Sequence, residues 1–244
     1  MTGISDLGRV ARSVAGMTSL GAGAAAGAGF ALLNRDRRSG VNVAATLASE
    51  LSLAAADVHL EIQGEEHVWS HRPAIFVFNH QSQLDVPIMA GVLKRDFTGV
   101  AKKSLQGNPI FGPIGWFAGV AFIDRSDPEA ARAALEPVVQ SLRDGISLAV
   151  APEGTRSLEL GPFKKGPFHM AIQGQVPMVP VVIRNAGQLM APHSYVITPG
   201  TVQVCVLPPV DTSSWTSETV EQHRDEVRQM FLDTLAHWPE PSER

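Results

Sequence analysis

The chain has 244 residues, of which 44% are hydrophobic, with a formal net charge of −4 and a pI near 6.1. This length can bury a substantial core and fits one α/β domain with an N-terminal extension, while the acidic balance excludes a broad nucleic-acid-binding surface. The single cysteine, Cys205, excludes an internal disulfide, and the scattered histidines show no zinc-ligand spacing. We expect Cys205 to be a small buried residue of a strand.

An uncharged segment of 22 residues lies between Arg12 and Arg35 and is nominally long enough to cross a bilayer. Five of these residues are glycine and many others are alanine, so the segment has little apolar surface for a transmembrane span. No strand precedes the glycines, which excludes a dinucleotide-binding loop. A signal peptide would also show arginines before such a segment, and it stays an alternative.

We predict that residues 1–57 form a helical membrane-association segment. The uncharged segment would be one arm of a hairpin, residues 41–57 the other arm, and the arginine-rich residues 35–38 the bend. Gly23 and Gly27 would allow the two helices to approach closely, and the arginines of the bend could meet anionic lipid headgroups. The alternative is a soluble helix pair that covers the core.

From residue 58 onward, short apolar runs alternate with longer amphipathic segments. The predicted strands lie near residues 58–63, 74–78, 97–101, 119–123, 146–150, 178–184 and 201–207. The predicted helices lie near residues 85–95, 128–143, 167–174 and 216–236. This alternation predicts an α/β fold, a single domain with a mixed, mostly parallel-type sheet flanked by helices, plus the N-terminal helical hairpin.

A candidate base follows the strand predicted at 74–78, where Asn79 and His80 stand at the carboxyl end of an apolar run. Ser82 and Asp85 have the Ser-x-x-acid spacing of a capping box at the start of a helix. The turn between strand and helix can bring the His80 ring over the helix start, where Asp85 could accept one ring N–H and leave the other nitrogen free. The alternative is that Asp85 merely caps the helix and His80 is an ordinary loop residue.

Residues suited to binding a phosphate follow the strand predicted at 146–150. They are Glu153, Gly154, Thr155, Arg156, Lys164 and Lys165. Gly154 allows close backbone approach, Thr155 offers a hydroxyl and Arg156 a planar fork of donors. Open α/β sheets bind ligands at the carboxyl ends of their strands, which is where this cluster lies. The alternative is a solvated loop with incidental charges.

Two further segments belong to the same pattern. Arg125 follows the strand predicted at 119–123 and could join Arg156 on a phosphate, or form a surface ion pair with Asp124. Residues 176–183 form an apolar strand with two prolines, which predicts an edge strand or an irregular one where a ligand approaches. Simple core packing is the alternative for its valines.

The four blocks at residues 79–85, 122–126, 152–157 and 176–180 resemble, in this order, those of the acylglycerolphosphate acyltransferases. The resemblance covers roughly residues 58–210 and implies that residues 58–244 are a catalytic domain of this type. More narrowly, the chain is similar to the acyltransferase half of actinobacterial proteins fused to a haloacid-dehalogenase-like phosphatase. No Asp-x-Asp motif opens the chain, so we expect no phosphatase half.

The resemblance implies transfer of a fatty acyl group from acyl-CoA or acyl carrier protein to the free hydroxyl of lysophosphatidic acid, giving phosphatidic acid. His80 would be the general base and Asp85 would hold its useful tautomer, with the substrate's hydroxyl as the nucleophile. Arg125 and Arg156 would bind the acceptor phosphate. Glu153 would orient an arginine or a glycerol hydroxyl.

Other roles follow from the same resemblance. Lys164 and Lys165 would assist with the phosphate or with CoA, and Val179 and Pro180 of the fourth block would contact the acyl donor. Backbone N–H groups near Gln81 and Gly154 are candidate donors to the oxyanion. The reaction needs no metal and no cofactor beyond the donor thioester. We expect a peripheral or monotopic protein on the cytosolic face of the cytoplasmic membrane, without a nucleic-acid partner.

Two other functions stay open at this point. The same His/Asp pair could activate water, which would make the protein an acyl-CoA thioesterase, or the site could bind phospholipid without turnover. A thioesterase has no need of a phosphate clamp, and a binding module has no need of the base and its acid. Both features favour transfer to a phosphate-bearing acceptor.

Overall fold

The computed structural model describes residues 3–109, 111–124 and 128–240. Within them the strands are β1 (Val58–Gln63), β2 (Ile75–Phe78), β3 (Phe97–Lys102), β4 (Ala121–Ile123), β5 (Ser147–Val150), β6 (Met178–Ile183) and β7 (Gly200–Val206). The helices are α1 (Gly3–Asn34), α2 (Arg37–Ala56), α3 (Glu66–Ser70), α4 (Asp85–Leu93), α5 (Phe111–Ala118), α6 (Pro128–Arg143), α7 (Gly166–Gly174), α8 (Ala186–Leu189) and α9 (Val220–Ala236), with a 3₁₀ turn at Lys103–Leu105. The predicted α/β class with an N-terminal helical hairpin is confirmed.

The strands form one mixed sheet in the order β1-β7-β6-β2-β5-β3-β4. The strands β6, β2, β5, β3 and β4 run parallel, β7 is antiparallel to β6, and β1 is parallel to β7. The segments that follow β2, β5 and β6 therefore meet at one edge of the sheet, here called the carboxyl edge. The opposite edge, where these strands begin, is the amino edge.

Helices cover both faces of the sheet. Alternate residues of a strand point to opposite faces, and in β2 Ile75 and Val77 pack in a buried cluster with residues of α6, α7 and α9. Phe76 and Phe78 pack on the other face with residues of α2 and α4. Burial on both faces explains why residues 74–78 read as a continuous apolar run.

The prediction of an edge or irregular strand at residues 176–183 is wrong, because β6 lies between β7 and β2 and all six of its residues are buried. Pro180 is tolerated there because it uses only its carbonyl, which accepts the N–H of Leu207 at 2.9 Å. Two residues earlier, Met178 exchanges two backbone hydrogen bonds with Val210. The ladder thus loses only the one bond that a proline cannot make.

The helices α1 and α2 pack closely through small residues. A Cβ atom added to Gly27 would overlap the carbonyl oxygen of Gly40 and the side chain of Ala44, and one added to Gly23 would overlap the backbone of Ala48. The predicted close approach at Gly23 and Gly27 is confirmed. Without large side chains between them, the two helix backbones touch directly.

The second arm of the hairpin starts four residues earlier than predicted, at Arg37. The carboxylate of Asp36 accepts the backbone N–H of Ser39 and so caps the helix. On its other side α2 packs on α4, where the hydroxyl of Ser49 donates to the carbonyl of Pro87 at 2.7 Å. The helix α2 therefore covers part of the core, and α1 packs on α2.

The bend of the hairpin lies at the amino edge of the sheet. Arg38 donates to the carboxylate of Asp96 at 2.6 Å and to the carbonyl of Gly145 at 3.2 Å, and these residues precede β3 and β5. Arg37 donates to the carbonyl of Trp116 at 2.7 Å, near the end of α5. Two of the three bend arginines are thus engaged by the protein.

The glycine contact between α1 and α2 predicts a difference between two substitutions on one helix. Gly27→Ala should force the helices apart at a cost of about 1–3 kcal/mol, whereas Gly29→Ala meets nothing within 4 Å. Both changes gain the same helix propensity. We expect the melting temperature of Gly27→Ala to lie about 2–10 °C below that of Gly29→Ala, measured by circular dichroism in one detergent. Equal melting temperatures would contradict the contact.

Candidate active site

The structure brings His80 and Asp85 together at the carboxyl edge of the sheet. The Nδ1 atom of His80 lies 2.7 Å from the Oδ2 atom of Asp85, whose side chain is fully buried, while that of His80 is 23% exposed. The Nε2 atom of His80 has no hydrogen-bond partner among the described residues. An imidazole held in this way presents one nitrogen as a hydrogen-bond acceptor or base.

Asp85 is held where the helix α4 begins. Its Oδ2 atom also accepts the backbone N–H groups of Gln81 at 2.7 Å and Ser82 at 2.8 Å. The return bond to Ser82 is one half of the predicted capping box; the hydroxyl of Ser82 instead accepts the N–H of Leu84, at 3.2 Å. Three N–H groups around one oxygen give this side chain a fixed orientation.

Asn79 anchors the turn that carries His80, a role that the sequence analysis missed. Its side-chain amide donates to the carbonyl of Ile183 and accepts the N–H of the same residue, both at 2.7 Å. This pair extends the contact of β2 with β6 beyond the last ladder residue. Gln81 adds a second tie, since its side-chain oxygen accepts the N–H of Gly187 at 3.3 Å.

Glu153 has a different position from that expected of a phosphate-binding residue. It is buried, and its two oxygens accept the backbone N–H groups of His80 at 2.7 Å and of Gly161 at 2.8 Å. Burial raises the pKa of this carboxyl group. The N–H of Ser157 also donates to the carbonyl of His80, at 2.8 Å. The segment after β5 therefore holds the His80 backbone on both sides, which favours a positioning role for Glu153.

Of the N–H groups near the two predicted oxyanion-binding turns, those of Gln81 and Gly154 themselves are already engaged. The N–H of Gly154 donates to the carbonyl of Ala151 at 3.1 Å, and the N–H of Gln81 donates to Asp85. Gly154 has a φ of +71°, so it closes a tight turn that favours glycine. Thr155 follows this turn with an exposed side chain.

The predicted phosphate-binding cations differ in their availability. Within the described part of the chain, the side chains of the half-buried Arg156 and the exposed Lys164 have no hydrogen-bond or ion-pair partner, although the backbone N–H of Lys164 donates to the carbonyl of Pro152 at 2.9 Å. Lys165 forms an ion pair with Glu221 of α9. Arg125 lies outside the described residues. Arg156 and Lys164 are thus the two described cations of this loop that are free to bind an anion.

The structure does not bring Val179 and Pro180 to the His/Asp pair. Both are buried within β6, and the register places Val179 beside Phe76, four residues before His80. That offset corresponds to about 13 Å along the strand direction. Core packing, the alternative for the valines of this strand, fits their surroundings.

The sequence is similar to a family of known proteins. Residues 59–184, more than half of the chain, match the family model described as Acyltransferase. The 1-acyl-sn-glycerol-3-phosphate acyltransferase of Saccharomyces cerevisiae is 36% identical over 184 residues, which cover 72% of this chain and 59% of the yeast protein. The human 1-acyl-sn-glycerol-3-phosphate acyltransferase alpha is 37% identical over 178 residues, covering 72% of this chain and 63% of the human one. The chain thus spans about three-fifths of the length of these relatives.

The fold is shared with a solved structure. The crystal structure of the 1-acyl-sn-glycerophosphate (LPA) acyltransferase PlsC from Thermotoga maritima superposes with a TM-score of 0.78 at 22% identity, covering 97% of this chain and 100% of that one. At this identity the likeness shows the fold alone. By the family match and its identity to the curated relatives, the chain belongs to the acyltransferase family, among relatives named 1-acyl-sn-glycerol-3-phosphate acyltransferase.

Proposed function

We propose that the protein transfers a fatty acyl group from acyl-CoA, or from acyl carrier protein, to the free hydroxyl of lysophosphatidic acid. The observation that carries this proposal is the His80 ring, held by the buried Asp85 with its Nε2 atom free at the carboxyl edge. Arg156 and Lys164 follow β5 at the same edge. The names of the relatives support the choice of acceptor.

In the proposed reaction the Nε2 atom of His80 takes the proton of the acceptor hydroxyl as its oxygen attacks the thioester carbonyl. Asp85 stabilises the imidazolium that forms. The tetrahedral intermediate then collapses, the C–S bond breaks, and the thiolate takes the proton from His80. One C–O bond is formed, one C–S bond is broken, and the products are phosphatidic acid and a free thiol. The thioester is already activated, so no serine or cysteine of the protein need be acylated.

The acceptor phosphate is proposed to bind Arg156, whose planar fork suits two phosphate oxygens. Lys164 would add a second cation, and Arg125 keeps the same proposed role. Lys165 is a weaker candidate because it already pairs with Glu221. Holding the phosphate would place the acceptor hydroxyl near His80 in preference to water.

We further propose that the carboxyl edge faces the membrane. Some of the exposed large apolar side chains belong to segments at this edge; they are Val10, Val14, Val86, Leu158, Tyr195 and Val196. Others, such as Leu32, Leu33 and Trp116, lie near the bend. Gly16 of α1 lies against Ala56 at the end of α2, so the first turns of α1 extend beyond α2 on this side. Among the described helices, α1 alone contains a stretch, Gly8–Asn34, long and apolar enough to cross a bilayer by length and composition.

This orientation replaces the expectation that the bend of the hairpin meets lipid headgroups. The bend lies at the opposite edge, where Arg37 and Arg38 bind carbonyl groups and Asp96. An acceptor that lives in the bilayer would reach His80 directly from the carboxyl edge. The cytosolic supply of acyl-CoA supports the cytosolic face of the cytoplasmic membrane.

The base is tested by acceptor-dependent CoA release from oleoyl-CoA with lysophosphatidic acid. His80→Ala should lower kcat by about 10²- to 10⁴-fold, because the general base is lost. His59→Ala is the matched control, since His59 is an exposed histidine of β1, and it should keep the activity of the unmodified protein. Normal turnover by folded His80→Ala would refute the mechanism.

The same assay separates the other two functions. Equal CoA release with and without lysophosphatidic acid would show a thioesterase. Binding of lysophosphatidic acid without CoA release would show a module without turnover. We expect release only with the acceptor, and phosphatidic acid as the product.

The phosphate site is tested with Arg156→Gln and two acceptors. Removing a charge-assisted hydrogen bond costs about 1.5–3 kcal/mol, so KM for lysophosphatidic acid should rise about 10- to 100-fold. KM for a monoacylglycerol, which lacks the phosphate, should change little. Arg143→Gln is the control, since Arg143 donates to the carbonyl of Gln173 away from the site. An equal effect on both acceptors would contradict phosphate binding by Arg156.

The membrane orientation is tested by two substitutions on α1. Val10→Glu at the carboxyl edge should weaken co-sedimentation with phosphatidylglycerol vesicles, because it places a charge against the bilayer. Leu33→Glu, close to the bend, should bind the vesicles as the unmodified protein does. Loss of binding by Leu33→Glu alone would instead place the bend in the membrane.

A further inference from the structure

The helix α9 lies outside the residues that match the acyltransferase family model. It nevertheless contacts Leu160 and Gly161, in the loop that follows β5. Arg228 of α9 donates through Nε to the carbonyl of Gly161 at 2.9 Å and through Nη2 to the carbonyl of Leu160 at 3.1 Å. Its guanidinium therefore holds two successive carbonyl groups of this loop. No other described residue of α9 makes a hydrogen bond to Leu160 or Gly161.

The peptide group that Arg228 holds is the one that reaches Glu153. The carbonyl of Leu160 and the N–H of Gly161 belong to a single peptide group, which is planar. Fixing the carbonyl oxygen at Arg228 therefore fixes the direction of the N–H, which donates to the Oε2 atom of Glu153 at 2.8 Å. A Cβ atom on Gly161 would lie 3.3 Å from that oxygen, so glycine suits this close approach.

The other oxygen of Glu153 completes the path to the base. Its Oε1 atom accepts the backbone N–H of His80 at 2.7 Å. A carboxylate with both oxygens hydrogen-bonded has one orientation. A change in the direction of the Gly161 N–H would therefore rotate the Glu153 carboxylate and move the oxygen that accepts the His80 N–H. Burial raises the pKa of Glu153, and the two backbone N–H donors oppose this shift.

We propose that Arg228 is a positioning residue for His80, acting through the Leu160–Gly161 peptide group and Glu153. This inference rests on the proposed role of His80 as the base. Arg228 touches neither substrate nor reacting atoms, so its loss should slow the chemical step and leave substrate binding nearly unchanged. A misplacement of about 1 Å can lower a rate by up to about 10²-fold.

The test compares Arg228→Ala with Arg224→Ala. Arg224 lies one turn earlier on α9, and together with Phe163 and Arg228 it lines a shallow cleft. Among the described residues, its guanidinium hydrogen-bonds only to the neighbouring Asp225. We expect Arg228→Ala to lower kcat about 10-fold with both KM values within about twofold, and Arg224→Ala to match the unmodified protein. Arg228→Lys keeps one donor and should recover part of the loss, and it also serves if Arg228→Ala folds poorly.

A double-mutant cycle shows whether Arg228 acts through Glu153. Glu153→Gln keeps the size of the side chain but replaces one acceptor oxygen with a donor. If the path is correct, Glu153→Gln with Arg228→Ala should lose no more kcat than Glu153→Gln alone. Additive losses, or equal kcat values for Arg228→Ala and Arg224→Ala, would overturn the proposal.

The proposal and the function on which it rests fail in different ways. Activity in folded His80→Ala would refute the role of His80, and with it this inference. An inactive His80→Ala together with normal kcat in Arg228→Ala would refute only the positioning role. A lower melting temperature in Arg228→Ala without a change in kcat would show that Arg228 stabilises α9 alone.

Discussion

One carboxylate oxygen, the Oδ2 atom of Asp85, accepts hydrogen bonds from the His80 ring and from the backbone of Gln81 and Ser82. This single acceptor joins the end of β2 to the start of α4 and orients the imidazole in the same contact. Without it the turn would carry buried N–H groups with no partner, which is costly. The local fold and the chemistry of the site thus share one interaction.

The parallel strands bring the remaining parts of the site to this pair. The segment after β5 returns to the His80 backbone through Glu153 and Ser157, and the end of β6 meets Asn79 through Ile183. Each contact crosses from one strand end to the neighbouring one. The mostly parallel sheet therefore determines which loops can support the base, while the loops decide what binds beside it.

The two helices of the hairpin pack differently against the rest of the protein. Its second helix covers the core, while the first packs on the second through glycine and alanine and leaves apolar side chains exposed. Arg37 and Arg38 tie the bend to the amino edge, so the opposite end of α1 lies on the side of His80. A segment of ambiguous composition thereby receives a defined orientation relative to the site.

Local patterns in the sequence determined the alternation of strands and helices, the glycine contact of the hairpin and the pairing of His80 with Asp85. These features depend on residues close together in the chain, where periodicity and spacing act directly. The central place of β6, the backbone contacts of Glu153 and the edge at which the bend lies were decided only by the tertiary structure. Arg228 belongs with them, since it contacts a loop 67 residues earlier in the chain. Such contacts join distant segments, and their partners follow from the strand order, which no local pattern of residues contains.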